Sequence, residues 1–528
     1  MSEEDGDLLP GGSAARVGLL AGPALFAAAL LLPLPDLVSA TGQAVPASHA
    51  VRVVMGLSLW MATWWMTEAF PLAATALLPI LVLPLAGVLP ARDVARVYFD
   101  DTIMLFLGGF CLALAMERTG LHRRFAFAVV RLAGTRPRRL ILGFFLASGL
   151  VSMWVSNTAT SLMLMPVAVT VVRALVGHDK AARDEGARRF AACCLLAVAY
   201  GASLGGVGTL IGTPPNVVFQ RHWQELVASG GAHTEVTFGR WMLLGVPLVA
   251  VLLPMAWWLL VRVALPVPAT LAGTDGAGVL DRLRPAGRAT FPERVVFFTF
   301  VTTALLWVTR QRLDVGGFVI PLTGWERLFA RIPSKSGEGV SFVTDGTVAI
   351  AAALFLFAVP TRRAPGDRVL PWTYAARHLP WGTLLLFGGG FCLAESWRVP
   401  GGLNEYLAAS FQGLGGLPPM LVVLAVTVGM TLLSEIANNT AATVMMLPVL
   451  SALAKGLGTD PLPILLAGTL GASCGFALPV ATPPNTVAYG TGEVSVRDMV
   501  RAGLVLDVAA ILVMTTGVWL LAPLVFGT

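Results

Sequence analysis

Thirteen apolar stretches run along the 528-residue chain, at 15–35, 51–66, 70–89, 102–116, 140–174, 190–220, 242–265, 294–309, 346–360, 380–396, 418–455, 462–490 and 501–525. A helix needs roughly 20 apolar residues to cross a bilayer. In lipid only helices and closed barrels satisfy their own backbone groups. The chain is therefore expected to be an all-α polytopic membrane protein. Its composition excludes a soluble one: 56% of residues are hydrophobic and 12% charged, where soluble domains carry about 25% charged residues. The mean hydropathy is +0.76. Two stretches, 140–174 and 418–455, are too long for one crossing and carry polar residues midway. Each is expected to be a re-entrant hairpin, which leaves about 11 transmembrane helices.

The strongest organising signal is an internal repeat. Thr102–Ala113 recurs as Thr383–Ala394, matching Phe106 with Phe387, Gly109 with Gly390 and Cys111 with Cys392 at one spacing of 281. Ser156-Asn157-Thr158-Ala159 recurs as Asn438-Asn439-Thr440-Ala441, with Pro166 and Pro448 following at the same spacing of 282. Gly212-Thr213-Pro214-Pro215-Asn216 recurs as Ala481-Thr482-Pro483-Pro484-Asn485. Three blocks in the same order point to a duplication. With two crossings and one hairpin per repeat, and three ordinary spans between repeats, five crossings separate equivalent points, and an odd number inverts the second half. Inverted repeats with broken polar helices at their interface mark secondary transporters, whose site lies near the midplane.

Inside a bilayer a cluster such as Ser152, Ser156, Asn157, Thr158 and Thr160 needs partners. For a lone Ser or Asn, hydrogen bonding between helices is the simplest account. The repetition of the cluster favours a site. Paired prolines remove backbone N–H groups and disfavour helix just before them, so Gly212-Thr213 and Ala481-Thr482 are expected to be unwound. Freed carbonyls there suit a cation, and four helix N-termini aimed inward, each of about +0.5 charge, suit an anion. No Lys or Arg lies in the repeated blocks, so an anion would rely on Ser, Thr and Asn donors, helix ends and co-bound cations.

The paired Ser-Asn-Thr and Asn-Asn-Thr motifs, each followed by Thr-Pro-Pro-Asn, resemble those of the divalent anion/sodium symporter family of dicarboxylate transporters, over about residues 100–525. The resemblance implies a homodimer in the cell (inner) membrane, an elevator movement of a transport domain against a scaffold, and sodium-coupled uptake of C4-dicarboxylates such as succinate, malate or fumarate. It implies scaffold helices at 1–100 and 226–378, and inverted repeats at 101–225 and 379–528. It further implies one sodium site at Ser152, Ser156, Asn157 and the carbonyl region of Gly212, and another at Ser434, Ala437, Asn439 and Ala481. Substrate would meet Ser156, Asn157 and Thr158 on one side and Asn438, Asn439 and Thr440 on the other, with Thr213, Pro214, Thr482 and Pro483 closing the pocket. Ser434 stands where the family often has Thr. Asn438 stands where it has Ser, which leaves substrate choice open. A sodium-independent exchanger of the same fold, and a carrier of citrate or sulfate, are also compatible with the motifs.

Charge and the remaining polar residues complete the reading. Arg-rich stretches at 121–139 (Arg123, Arg124, Arg131, Arg136, Arg138, Arg139), 282–294 (Arg282, Arg284, Arg288, Arg294) and 362–377 (Arg362, Arg363, Arg368, Arg377) read as cytoplasmic loops, and 310–345, with Gly316, Gly317, Ser334, Ser336 and Gly337, as external. They account for the net charge of +6 without a nucleic-acid partner, for which there is no aromatic-basic platform. Met1–Gly12 carries Glu3, Glu4, Asp5 and Asp7, so the first apolar run reads as a retained span. The five cysteines read as packing residues, the six histidines (His49, His122, His178, His222, His233, His378) form no metal constellation, and Trp60, Trp64 and Trp65 read as interface or scaffold packing. Glu435, whose repeat counterpart is Met153, reads as a buried, partnered brace of the second hairpin, with proton coupling as the alternative. A carboxylate at the bilayer centre costs about 2.5–3.5 kcal/mol on insertion scales. Asp507 receives no role. A channel would show a continuous polar stripe, and an enzyme a nucleophile-base pair or metal ligands at midplane; the chain is expected to be neither.

Overall fold

The computed structural model describes residues 13–526, apart from 39–41, 135, 178–182, 231–234, 271–286, 313, 316–317, 320–323, 330, 333–339, 362–365 and 413–415. Met1–Gly12, His178, His233, Arg282, Arg284, Gly316, Gly317, Ser334, Ser336, Gly337, Arg362 and Arg363 lie outside the described residues.

Proline, capping and apolar length together set the element boundaries. The chain opens with α1 (Ser13–Leu31) and α2 (His49–Thr67), the latter started by Ser48 accepting from Val51 N–H at 3.2 Å. The apolar run at 70–89 forms two short helices, α3 (Leu72–Thr75) and α4 (Leu78–Leu85), with Pro71 just ahead of the first, Pro79 in the first turn of the second and Pro84 within it. The first half continues with α5 (Ala91–Val97), α6 (Asp101–Thr119), α7 (Leu121–Ala133), α8 (Pro137–Ser152), α9 (Asn157–Val176), α10 (Glu185–Gly206), α11 (Pro214–Ala228) and α12 (Phe238–Leu259), the last running into a π-helical turn at Leu260–Ala264. Two connecting helices follow, α13 (Phe291–Thr309) and α14 (Asp345–Ala358). The second half repeats the order: α15 (Trp372–His378), α16 (Trp381–Ser396), α17 (Leu403–Phe411), α18 (Pro419–Ile436), α19 (Asn439–Leu457), α20 (Pro461–Ala472), α21 (Pro483–Gly490) and α22 (Val496–Phe526). Three two-residue strand pairs occur in the connections.

Both overlong apolar runs break where their polar residues lie, 140–174 into α8 and α9 and 418–455 into α18 and α19. The runs at 190–220 and 462–490 break ahead of the paired prolines, where Thr213 (φ −141°, ψ 141°) and Thr482 (φ −146°, ψ 147°) are extended, as a residue before proline should be. Two expected loops prove partly helical: α15 takes up 372–377 of one, and residues 121–133 of the other form α7. Its buried His122, Ala126 and Val130 recur every four residues, so an apolar stripe packs inward while Arg123 and Arg131 turn outward.

The innermost elements are α10, buried from Phe190 to Gly206, and α20, buried from Ile464 to Ala472. The outer surface is apolar: Leu20, Leu31, Leu81, Phe298, Leu354 and Leu520 are all more than half exposed. Among the described residues, nine helices are long and apolar enough to cross a membrane, and three shorter apolar helices accompany them. Contacts between elements repeat as well. A Cβ on Gly108 of α6 would overlap Ala349 of α14, and a Cβ on Gly389 of α16, its counterpart in the second repeat, would overlap Ala76 after α3. Each glycine helix therefore lies in backbone contact with the element preceding the other one's half.

Candidate functional site

The breaks in α8/α9, α10/α11, α18/α19 and α20/α21 converge on one cavity of about 490 Å³. Its wall contains Ser156, Asn157, Thr158, Thr213, Pro214, Asn438, Asn439, Thr440, Thr482 and Pro483, all ten residues expected from the sequence to meet substrate. The N-termini of α9, α11, α19 and α21 all open onto it, so four positive helix ends face one space. Of the residues expected to hold sodium, Ser156, Asn157, Asn439 and Ala481 are in this wall. Ser152, Gly212, Ser434 and Ala437 are absent from it, and side-chain contacts tie three of them, Ser152, Gly212 and Ser434, to the two motif asparagines.

In the first half an oxygen cluster centres on the Asn157 amide. With Oδ1 turned inward, it accepts from Ser152 Oγ at 2.6 Å. With the amide turned over, Nδ2 donates to Ala202 O (3.0 Å), Gly212 O (3.2 Å) and Ser152 Oγ (2.6 Å). The end of the amide thus sits among oxygens from α8, α10 and the unwound stretch after it. Gly206 permits this approach, since a Cβ there would strike Asn157 Oδ1 and come within 3.1 Å of Gly212 O. In the second half Ser434 Oγ lies 2.7 Å from both Asn439 Oδ1 and Ala472 O. One hydroxyl hydrogen serves one of these bonds at a time, so three oxygens share a single hydrogen. A Cβ on Gly475 would lie 3.1 Å from Ser434 Oγ and 3.3 Å from the Ala481 side chain. Oxygen-rich pockets short of hydrogens suit hard cations; the second half is one, and so is the first when Asn157 Oδ1 faces inward.

The asparagines that close the Thr-Pro-Pro-Asn blocks hold the unwound stretches open. Asn216 Nδ2 donates to Gly206 O (3.1 Å) and Thr209 O (2.7 Å), and Asn485 Nδ2 donates to Gly475 O and Leu478 O (both 3.0 Å). Donor and acceptors are spaced alike in both halves. Glu435 is 8% exposed and accepts from the backbone N–H groups of Ala477 and Leu478, each at 2.9 Å, while Asp507 Oδ1 accepts from Phe476 N–H at 3.4 Å. The carboxyl group at 435 is therefore a brace of the second unwound stretch, as its burial cost implies.

Sequence reasoning missed several residues of this region. Glu117 and His378 line the cavity, with His378 Nδ1 2.8 Å from Tyr374 O and its ring stacked on Tyr374. Glu117 lies four residues beyond the first repeated glycine block, the one signal that could have found it. On another face of the same helices, Arg398 Nη1 pairs with Glu225 Oε2 at 2.5 Å, Arg221 pairs with Glu225 (3.0 Å) and Asp100 (3.3 Å), and Arg398 Nη2 donates to His222 O at 3.1 Å. This network ties α11 to the start of α6 and the end of α16.

Comparison with known proteins agrees with this architecture. The family model for the sodium:sulfate symporter transmembrane region matches residues 14–526. The sodium-dependent dicarboxylate transporter SdcS of Staphylococcus saprophyticus is 36% identical over 515 residues, covering 97% of this chain and 92% of that protein. Its namesake in Staphylococcus aureus strain RF122 is 34% identical over 513 residues, with the same coverage. Among solved structures, the YdaH transporter of Alcanivorax borkumensis aligns with a TM-score of 0.59 at 15% identity, covering 98% of this chain and 100% of that one. MtrF of Neisseria gonorrhoeae aligns with a TM-score of 0.56 at 12% identity, covering 98% and 96%. At such identities these two speak to the fold alone. A match over nearly the whole chain, together with relatives that share about a third of its residues, places it among multi-pass membrane transporters: the chain belongs to the sodium:sulfate symporter family, the divalent anion/sodium symporters that its paired motifs resemble.

Proposed function

We propose that this protein carries C4-dicarboxylates of the succinate, malate and fumarate type across the cell membrane together with sodium. The observation that carries the reading is the pairing of two asparagine-centred oxygen clusters with one cavity onto which four helix N-termini open. In this reading sodium is held by Ser152, Ser156, Asn157 and the Gly212 carbonyl in one half, and by Ser434, Ala437, Asn439 and Ala481 in the other. The dianion lies between, against Ser156, Asn157, Thr158, Asn438, Asn439 and Thr440, with Thr213, Pro214, Thr482 and Pro483 at its sides. Asn157 and Asn439 belong to both sets, so bound cations supply the positive charge that the repeated blocks lack and orient the donors the anion meets. The relatives in the two Staphylococcus species are named for sodium-dependent dicarboxylate transport, which supports the same assignment.

The movement proposed is an elevator. The two broken-helix halves, 101–225 and 379–528, are inverted repeats whose hairpins α8/α9 and α18/α19 re-enter from opposite sides, and they slide against scaffold helices at 1–100 and 226–378 in a homodimer. The exchange of contacts by Gly108 and Gly389 supports a two-fold relation of the halves. Glu117 and His378 lie next to Arg-rich segments, so the cavity mouth they flank is on the cytoplasmic side.

The test is uptake of radiolabelled succinate into proteoliposomes under an inward sodium gradient, without sodium, and with succinate inside. Uptake is expected to require sodium outside and no internal substrate. Uptake that needs internal succinate and ignores sodium overturns symport in favour of exchange. Transport of sulfate or citrate to the exclusion of succinate overturns the substrate assignment.

A further inference from the structure

The cavity wall from the second half holds hydrogen-bond donors that the protein itself leaves unused. Asn438 caps α19 through Oδ1, which accepts from Thr440 N–H (3.0 Å) and Ala441 N–H (3.4 Å). This fixes the amide: the oxygen is committed to the helix, and Nδ2 is left with both hydrogens and no acceptor among the described residues, on a side chain that lines the cavity. Thr482 is the second observation. It is 3% exposed, lines the same cavity, and its hydroxyl has no hydrogen-bond partner among the described residues. Buried polar groups are rarely left unpaired, so this hydroxyl at the cavity wall is a donor still to be satisfied.

Ser156, at the equivalent cap of the first half, also uses its oxygen for capping, accepting from Ala159 N–H at 3.3 Å. It keeps one hydrogen to give. Asn438 keeps two, which diverge from one nitrogen and so reach two separate acceptors rather than one. An unsubstituted carboxylate end uses one of them well. A carboxylate with an oxygen on the adjacent carbon offers acceptors for both, with Thr482 as a further donor. Asn438 adds donors without adding charge, so it suits an extra neutral oxygen better than a third carboxylate.

We propose that Asn438 and Thr482 form a subsite for an oxygen substituent beside the substrate carboxylate, so that this transporter selects 2-hydroxy- and 2-oxo-dicarboxylates over unsubstituted ones. The proposal rests on the dicarboxylate reading above. One additional neutral hydrogen bond corresponds to a preference of roughly three- to tenfold.

The test is displacement of radiolabelled succinate from the purified full-length protein in sodium, by 2-hydroxysuccinate, by 2-oxosuccinate and by 2-methylsuccinate as a control of similar size. The oxygenated acids are expected to compete roughly three- to tenfold better than succinate, and the methyl compound no better. Asn438→Ser is expected to bring that ratio to about one, and Thr482→Val to reduce it. The wild-type ranking requires no variant. Equal competition by succinate and the oxygenated acids, or an unchanged ratio in Asn438→Ser, overturns the subsite and leaves dicarboxylate transport standing. Failure of every dicarboxylate to displace label overturns both.

Discussion

The two halves share one framework and brace it differently. In each, a serine near the end of the helix before the break meets the motif asparagine five residues on, and a second asparagine ties two carbonyls of an unwound stretch. The bracing differs at one pair of matched positions. Met153 holds the first unwound stretch through its carbonyl, which accepts from the Thr209 hydroxyl, while Glu435 holds the second through a carboxylate that accepts from two backbone N–H groups. Geometry at the motif asparagines is therefore kept in duplicate, whereas the supports behind it are specific to each half. That division fits the proposed arrangement of two similar cation pockets around one shared anion cavity.

The largest effect should come from the shared element. Asn157→Ala and Asn439→Ala each remove the amide at the centre of an oxygen cluster and a group in the cavity wall. Succinate uptake into proteoliposomes is expected to fall to the level of empty vesicles in both variants, with each protein still inserted in the membrane. Normal uptake by both would break the assignment. Loss in only one would show that the halves are not functionally equivalent.

Next is the unshared brace. Glu435→Ala leaves the Ala477 and Leu478 N–H groups buried without acceptors, at about 1–3 kcal/mol each. Met153→Ala keeps the carbonyl that Thr209 uses and loses only side-chain packing. In thermal melts of the purified protein, Glu435→Ala is expected to be the more destabilised of the two. Equal melting temperatures would mean that the carboxylate does not brace the unwound stretch.

The framework itself makes a prediction of equality. Asn216→Ala and Asn485→Ala each strip one donor group from two carbonyls at matched spacing, and each is expected to cost about 1–3 kcal/mol in stability. Losses that differ by more than about 1.4 kcal/mol, a tenfold ratio in equilibrium, would break the comparison.

How much of this was legible in the sequence follows from the range of each interaction. The helix breaks were legible because proline and clustered Ser, Thr and Asn act within a few residues, and duplication made them stand out twice. The convergence of all four breaks on one cavity followed from the duplication combined with the family resemblance. The network of Asp100, Arg221, Glu225 and Arg398 was not legible. Its members are single charged residues scattered along most of the chain, with no period to link them, and only the packing of α11 between α6 and α16 makes them neighbours. The helix α7 was hidden by its arginines, which read as a loop until the spacing of His122, Ala126 and Val130 is weighed against α8.

The ends of the twin glycine helices sharpen the comparison with its smallest effect. Beyond α16, Arg398 joins the network on α11, and its counterpart in the first repeat, Glu117, instead lines the cavity. The end of α6 is held by the next residue, Arg118, which donates to Val369 O at 2.8 Å and pairs with Asp367 at 3.0 Å. Hydrogen bonds from Arg118 and Thr361 hold the Asp367 carboxyl below the usual carboxylate range. A carboxyl depressed in the folded state stabilises it above the unfolded value of about 3.9 and loses that contribution as pH falls through the folded value. The pair is about 30% exposed, so its worth is at most about 1 kcal/mol. Asp367→Asn is therefore expected to melt slightly below wild type at pH 7, with the gap closing as the pH is lowered beneath about 4. A gap that stays constant with pH would mean that the end of α6 is held by the backbone acceptors alone. Its anchorage would then owe nothing to charge, and the contrast with the ionic end of α16 would be complete.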